Sequence, residues 1–215
     1  MKFFSTLRTR LLVTYLGLLL LGFGGLTFFA GRQIENSIYT NLINDQRVQT
    51  LRIASELSSS LGDLGEYGFS EDSEDGFSRE QLSSLLQSLS PESNTELALL
   101  DNTGTVFASS DGSNIGGDLS ASAEVQRADA DANNPSVTPA ELREVKRLDK
   151  VNIGAMLQGE YGHIGYIVRS SSAVDARSQV QSQWLILGTT FVIFTILGTL
   201  ISLWLLSTLT KPLGV

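Results

Sequence analysis

Two long apolar stretches, one near each end of the chain, constrain the fold more than any other feature of the sequence. The first runs from Leu11 to Ala30 and the second from Trp184 to Leu206, and neither contains a charged residue. A helix rises ~1.5 Å per residue, so each stretch is long enough to cross a hydrocarbon core of ~30 Å. The sequence therefore predicts a two-pass membrane protein with transmembrane helices at 11–30 and 184–206.

The charges around these stretches predict their orientation. The residues outside the two stretches carry four basic and no acidic side chains: Lys2, Arg8, Arg10 and Lys211. All 23 acidic residues lie between the stretches. Because lysine and arginine near the ends of membrane helices stay in the cytoplasm, we expect residues 1–10 and 207–215 to be cytoplasmic. Residues 31–183 would then lie on the extracytoplasmic side of the cell membrane (the inner or plasma membrane).

A cleaved signal peptide is the competing interpretation of the N-terminus. Its apolar region would be ~7–15 residues long and would end at a small-x-small cleavage site. The first stretch is longer than that, and it ends Thr27-Phe28-Phe29-Ala30, with the bulky Phe28 where a small residue is needed. We therefore expect the first stretch to remain as a membrane helix.

Composition excludes several classes of function. The chain has no cysteine and a single histidine, His163, so disulfides, thiolate metal sites and cysteine nucleophiles are excluded. A formal charge of −8 argues against nucleic-acid binding, which needs a basic face. Transporters and proton pumps normally place ionisable residues inside the membrane. Neither apolar stretch carries one, so a transport function is not expected. We find no catalytic motif and predict no cofactor, so whether the chain belongs to an enzyme stays open.

The segment between the two stretches predicts an α+β fold. No proline interrupts residues 1–90, and apolar residues recur at three- and four-residue steps through Leu51, Ala54, Leu57 and Leu61, so the first membrane helix is expected to continue to about Leu61. Short helices are predicted at 80–89, 120–130 and 139–148, hairpins at 96–110 and 150–168, and a last helix from Val174 into the second stretch. Runs of helix and antiparallel hairpin in this order indicate an antiparallel sheet with helices around it.

An acidic run, Gly62–Arg79, interrupts this pattern. Its candidate metal ligands are four carboxylates, Glu71, Asp72, Glu74 and Asp75. Divalent cations prefer several oxygen ligands, but the run lacks the spacing of a calcium-binding loop. A solvated loop is the interpretation that acidic runs usually favour, and no metal site is predicted.

Two short motifs carry a resemblance to a known family. The first is Leu99–Ser110 (LLDNTGTVFASS), followed by Asn114-Ile115-Gly116. The second is Val151–Ala155 (VNIGA) with Gly162–Val168 (GHIGYIV). In this order, between two apolar stretches, they resemble the extracytoplasmic PAS-like (Cache or PDC) sensor domains of bacterial transmembrane receptors such as sensor histidine kinases. The resemblance implies a PAS-like sheet with a long N-terminal helix.

The C-terminal residues Leu209–Leu213 (LTKPL) resemble the start of a HAMP linker, in which a proline, here Pro212, follows the membrane helix. Residues 207–215 would be the truncated beginning of that signal-transmitting linker. The resemblance implies a sensory front half whose cytoplasmic output domain is not in this chain. It also implies a homodimer, which the small residues Gly198 and Ser202 of the second stretch would allow by close helix approach.

The resemblance implies a membrane-bound receptor that senses a small external ligand or condition and passes the signal inward. Three functions stay open. The first is the input half of a two-component sensor histidine kinase. The second is the front half of a methyl-accepting chemotaxis receptor or a diguanylate cyclase. The third is a non-signalling scaffold anchored by two spans.

Candidate ligand-binding residues lie on the last two predicted strands and the adjoining turns: Lys150, His163, Tyr166, Arg169, Tyr161 and Asp101. Cationic side chains among them suit a small carboxylate, through charge-assisted hydrogen bonds. Each of these residues could instead have a structural role and not contact a ligand. Arg169 would then cap a strand end, Tyr166 would belong to the core, and His163 would be solvated.

Overall fold

A computed structural model describes residues 7–61, 77–90, 95–131, 137–159 and 162–209. The chain divides into two compact units. Unit 1 combines the two ends of the chain, Met1–Ile38 and Ser178–Val215, and unit 2 is Tyr39–Arg177.

The described residues form five helices and four strands, and the α+β prediction is confirmed. In chain order they are α1 (Leu7–Leu61), α2 (Arg79–Leu89), β1 (Thr95–Asp101), β2 (Val106–Ser109), α3 (Ala123–Asp131), α4 (Pro139–Leu148), β3 (Lys150–Gly159), β4 (Gly162–Ser172) and α5 (Val174–Leu209). The first helix is unbroken over 55 residues, and α5 continues from the end of the sheet through the second apolar stretch.

In unit 1 the apolar parts of α1 and α5 lie antiparallel, side by side. Their contacts run in opposite numerical order: Leu19 with Gly198, Phe23 with Phe194, Gly24 with Phe191, and Phe28 with Trp184. A methyl group on Gly31 would lie 2.5 Å from the Trp184 ring, so the glycine lets the indole pack directly on α1. These two helices are long and apolar enough to span a membrane, by length and composition, and their apolar windows are not buried.

Gly198 faces α1 of its own chain, because a methyl group there would lie 3.2 Å from Leu19. The Ser202 hydroxyl donates to the Gly198 carbonyl oxygen at 2.7 Å. The close approach that Gly198 allows is therefore used within the chain, while the printed bond of Ser202 stays inside α5.

Unit 2 is built on one antiparallel sheet with the strand order β2-β1-β4-β3. Each predicted hairpin is present, and β1 pairs with β4 so that Leu99 lies opposite Ile167. Gly104 has a φ of 88° in the first hairpin turn, where a glycine avoids the strain that a side chain would meet. The two hairpins therefore lie side by side, with β1 and β4 as the central strands of the sheet.

One face of the sheet packs against α1 and α2. The core there joins Ala54, Leu57 and Leu61 of α1 and Leu82 and Leu86 of α2 to leucines and isoleucines of the strands. The predicted α1 stripe is wrong at Leu51, which is 55% exposed, while the neighbouring Thr50 is fully buried. The buried side of α1 therefore passes through polar residues before it reaches its apolar end.

The opposite face of the sheet packs against α3, through Val125 and Ala128 on Leu100, Tyr166 and Val168. This helix begins at Ala123, three residues after the predicted start. The preceding residues belong to a turn in which the Leu119 amide donates to Gly104 and the Ser120 amide to the Asp118 carboxylate. Turn geometry therefore delays the start of the helix.

Gly154 of β3 lets α3 approach the sheet closely, because a methyl group there would overlap the carbonyl oxygen of Glu124. We expect Gly154→Ala to destabilise unit 2 by about 1–3 kcal/mol, because a backbone atom must move to relieve the overlap. Urea unfolding of the full chain in detergent, followed by circular dichroism, measures the loss. Asn152→Ala, two residues along the same strand, serves as the control, and an equal effect of both variants would contradict this explanation.

Candidate functional site

A cleft lies between α1 and the sheet in unit 2. It has a volume of about 340 Å³ and is lined by Gln49, Arg52, Ile53, Glu56, Leu89, Ser90, Thr95 and Arg169. The lining residues come from one side of α1, the end of α2, the start of β1 and the middle of β4. The cleft therefore lies between the sheet and the long helix.

Arg169 belongs to the sheet side of the cleft. It lies between Leu97 of β1 and Ile153 of β3 in the register of the sheet, and it is only 4% exposed. Its Nη1 donates to the amide oxygen Oε1 of Gln49 on α1. The amide nitrogen of Gln49 donates in turn to Asp45 at 2.9 Å, so the orientation of the Gln49 side chain is fixed from both sides.

Arg52 and Glu56 belong to the α1 side of the cleft, one helical turn apart, and both are exposed. Neither side chain forms a hydrogen bond or ion pair with another described residue. At the end of α2, the Ser90 hydroxyl donates to the Thr95 carbonyl oxygen at 2.8 Å and ties this helix to β1. The described residues that line the cleft thus include one buried and one exposed guanidinium, and one exposed carboxylate.

The structure does not bring the predicted ligand-binding residues together. Arg169 lines the cleft, whereas Tyr166 lies in the core under α3, on the other face of the sheet. The exposed His163 ring packs edge-on against Tyr166, with ring centroids 4.5 Å apart. Lys150 is exposed at the start of β3, and Tyr161 lies outside the described residues.

Asp101, the last of these residues, organises the first hairpin turn. Its Oδ1 accepts hydrogen bonds from the amides of Thr103 and Thr105, at 2.8 and 2.9 Å, and from the Thr103 hydroxyl. These bonds give the D-x-x-G part of the first motif a local structural role in the turn.

The loop after β2 contains two further aspartates that organise the backbone. The Ser109 hydroxyl and the Ser113 amide donate to Asp111 and lower the pKa of its carboxyl group. Hydrogen bonds from the Ser120 hydroxyl and amide lower the pKa of Asp118 in the same way. Both carboxylates stay ionised at neutral pH and hold the loop by accepting hydrogen bonds.

A buried ion pair joins α1 to α4. Arg47 Nη2 lies 3.0 Å from Glu141 Oε1, and the two side chains are 9% and 5% exposed. The other oxygen of Glu141 accepts from the Thr138 amide and hydroxyl, which completes a capping box at the start of α4. Arg127 of α3 adds a more distant contact to Glu141, at 3.9 Å. One buried carboxylate therefore connects three helices.

Helix α4 is also connected to the start of α5. It ends at Leu148, and the next residue, Asp149, caps it with a left-handed backbone and a φ of 54°. The Asp149 carbonyl oxygen accepts from the Ala173 amide at 2.7 Å, and its carboxylate pairs with Arg177. In the last turn of the helix, Lys146 lies over the Tyr39 ring of α1. Within unit 2, α4 therefore contacts both long helices.

Sequence reasoning missed the Arg47–Glu141 pair and the Gln49–Arg169 bond. Thr138-Pro139-Ala140-Glu141 carries the capping-box signal at the start of α4. Nothing in the sequence pairs Glu141 with Arg47, 94 residues away, or Arg169 with Gln49, 120 residues away.

The remaining predicted residues lie beyond the described parts of the chain. These are the acidic run Glu71, Asp72, Glu74 and Asp75, and Pro212 of the linker. Among the described residues, no group of three or more histidine, aspartate or glutamate side chains is placed to hold a metal ion.

A comparison with solved structures gives a distant match. No protein-family model matches the sequence, and no curated protein matches it. Among solved structures, the chain matches an extracellular ligand binding receptor from Desulfohalobium retbaense DSM5692, with 14% sequence identity and a TM-score of 0.42. The match covers 69% of this chain and spans only 26% of that receptor.

We expect Arg47→Met to destabilise unit 2 by about 3–5 kcal/mol, because it leaves the Glu141 carboxylate buried without its closest cation. The double variant Arg47→Met, Glu141→Gln should recover part of this loss, since neither charge then remains. Chemical unfolding of the full chain in detergent, followed by circular dichroism, measures both.

Arg143→Gln, on the exposed side of α4, is the matched control and should change stability by about 0.5 kcal/mol at most. A double variant less stable than Arg47→Met would contradict the ion-pair explanation.

Proposed function

We propose that this chain is a membrane-bound signal receptor, the sensory input half of a two-component sensor histidine kinase. The observation that carries the proposal is the continuity of its two long helices. Each contains an uncharged apolar stretch, and each continues without interruption into the α+β unit, α1 as far as Leu61 and α5 from Val174. A change of shape in unit 2 would therefore act directly on both membrane helices.

In this proposal residues 11–30 and 184–206 cross the lipid bilayer, and residues 31–183 form the extracytoplasmic sensor domain. A ligand shifts the balance between two shapes of that domain only as far as its affinity for them differs. The shift becomes a small slide, tilt or rotation of the helices. Unit 2 offers a direct route for this coupling, because α4 contacts Tyr39 and Arg47 on α1 and Arg177 on α5.

The partners in this proposal are a second copy of the chain, a small external ligand and a cytoplasmic output domain. The linker begins at residues 207–215 and passes the movement on through Pro212. A methyl-accepting chemotaxis receptor or a diguanylate cyclase would use the same front half, and the coding sequence after residue 215 distinguishes these outputs. A non-signalling scaffold with two spans is the remaining alternative.

The proposed orientation predicts which positions can be labelled from outside the cell. The chain has no cysteine, so a single introduced cysteine reports its own position. We expect Ser84→Cys, exposed on α2, to react with a membrane-impermeant maleimide in intact cells. Ser5→Cys should react only after the cells are permeabilised, because residues 1–10 would be cytoplasmic. The reverse pattern would overturn the proposed topology.

A chimera tests signal transmission. Residues 1–211 are joined to the linker and catalytic domains of a transmembrane histidine kinase, and autophosphorylation is measured in proteoliposomes. We expect Arg47→Met to change the autophosphorylation rate several-fold, because it disturbs the contact between α1 and α4.

Insertion of five glycines between Ile38 and Tyr39 is the control, since it interrupts α1 and should remove the effect of Arg47→Met. An uninterrupted chimera that is folded, active and insensitive to Arg47→Met would favour the scaffold alternative.

A further inference from the structure

We infer that Met156 on β3 is a site of reversible oxidation, at which conversion of the thioether to a sulfoxide loosens helix α3 from the sheet. The site lies on the face of the sheet opposite the cleft. That the loosened helix alters the output signal rests on the proposed receptor function, whereas the modification itself does not.

Met156 carries the one sulfur atom of the proposed sensor domain. The chain has no cysteine and two methionines, Met1 and Met156. Met1 begins the N-terminal segment, which would be cytoplasmic in the proposed topology. An oxidant outside the membrane would therefore meet a single sulfur in this chain.

The fold leaves Met156 accessible from one side. It lies on β3, the edge strand in the order β2-β1-β4-β3, and it is partly exposed. Its Sδ accepts a long hydrogen bond of 3.8 Å from Nε2 of Gln158, two residues along the same strand. Because this contact lies at an exposed position, a small oxidant can approach the sulfur from the Gln158 side.

The other side of Met156 contacts the core beneath α3. The side chain packs against the cluster that contains Val125 and Ala128 of α3 and Tyr166 of β4. Tyr166 is also its partner in the pairing of β3 with β4. The preceding residue on this face of the strand, Gly154, lets the α3 backbone approach closely. Met156 therefore lies where α3 fits tightly on the sheet.

The proposed reaction is an oxygen transfer from hydrogen peroxide. The O–O bond breaks and an S–O bond forms at Sδ, so the sulfur loses two electrons and the second oxygen leaves as water. A flexible apolar side chain becomes a polar, chiral sulfoxide, which disrupts apolar packing. Methionine sulfoxide reductases reverse the change.

Gln158 provides a donor for the new oxygen. A thioether sulfur is only a weak acceptor, so the contact at 3.8 Å holds the unmodified side chain weakly. A sulfoxide oxygen is more polar, and burying it among apolar side chains without a partner is unfavourable. The oxidised side chain is therefore drawn toward Gln158 and water, and away from Val125 and Ala128.

Loosening of α3 would reach the long helices through α4. Arg127 of α3 pairs with Glu144 of α4 at 3.1 Å and lies 3.9 Å from Glu141. Glu141 pairs in turn with α1, and the residue that caps α4 pairs with α5. In the receptor proposal, oxidation of Met156 is therefore a stimulus that both membrane helices receive.

Hydrogen peroxide treatment of the full chain in nanodiscs, followed by peptide mass spectrometry, tests the site. The peptides separate oxygen added at Met156 from oxygen added at Met1. We expect Met156 to oxidise at a rate within about ten-fold of that of N-acetylmethionine amide, because susceptibility follows exposure. A slower rate would overturn the inference, as would failure of a mixture of methionine sulfoxide reductases A and B to remove the oxygen.

Hydrogen exchange on the same samples tests the effect on α3. After oxidation we expect the amides of α3 to exchange several-fold faster, while those of α2, on the other face of the sheet, stay unchanged. Met156→Leu conserves volume and apolar character and should show no change on peroxide treatment. Unchanged α3 exchange in the oxidised wild type, or an equal change in Met156→Leu, would overturn the inference.

Gln158→Leu tests the proposed donor. It should leave the stability of the unoxidised chain nearly unchanged. On oxidation it should lose more stability than the wild type does, because the sulfoxide then lacks its donor within the protein. Urea unfolding followed by circular dichroism measures both, and equal losses would overturn the role of Gln158.

The receptor proposal fails in a different way. Oxidation that loosens α3 but leaves autophosphorylation of the chimera unchanged would support the site and contradict signalling. Autophosphorylation that changes on oxidation to the same extent in the chimera with Met156→Leu would overturn the inference about Met156 and leave the receptor proposal standing.

Discussion

The packing of α1 on the sheet is the interaction on which the rest of unit 2 depends. At its far end α1 is held by apolar contacts, through Leu57 and Leu61 in the core. In the middle of this part of the helix the buried residues Gln46, Arg47 and Thr50 are polar, and before them Tyr39 and Ile43 are buried again. Within unit 2, α1 is therefore held by apolar residues on both sides of a polar segment that includes the Gln49–Arg169 bond.

Two buried polar side chains of unit 2, one on α1 and one on β4, reduce its stability. The Gln46 amide oxygen and the Ser171 hydroxyl are buried and make no hydrogen bond with the described residues. A buried polar group without a hydrogen-bond partner costs ~1–3 kcal/mol, so these two side chains stabilise unit 2 less than apolar side chains of the same size would.

Local patterns in the sequence predict the helices and strands, but they do not predict the contacts between residues that are far apart in the chain. The unbroken α1, the leucine face of α2, the proline start of α4 and both hairpins follow from spacing and turn residues. The candidate site could not be assembled in the same way, because Arg169 and Tyr166 are three residues apart on one strand and so face opposite sides of the sheet. His163 and Tyr166 are also three residues apart, but their rings are in contact. The reason is an irregularity in β4, where the pairing with β3 shifts by one residue between Leu157 and Gln158. Of the predicted ligand-binding residues that the structure describes, only Arg169 lines the cleft. Local sequence patterns could not predict its contact with Gln49 of α1, because the two residues are 120 positions apart.

The two attachments of α4 have a mechanical consequence. Glu141 holds α1 near one end of this short helix, and Asp149 holds α5 at the other end, eight residues or ~12 Å further along the axis. Lys146, three residues before Asp149, also lies over the Tyr39 ring, so α4 is attached to α1 near both of its ends. Within unit 2, this short helix therefore fixes the distance between the Tyr39–Arg47 part of α1 and the first turn of α5.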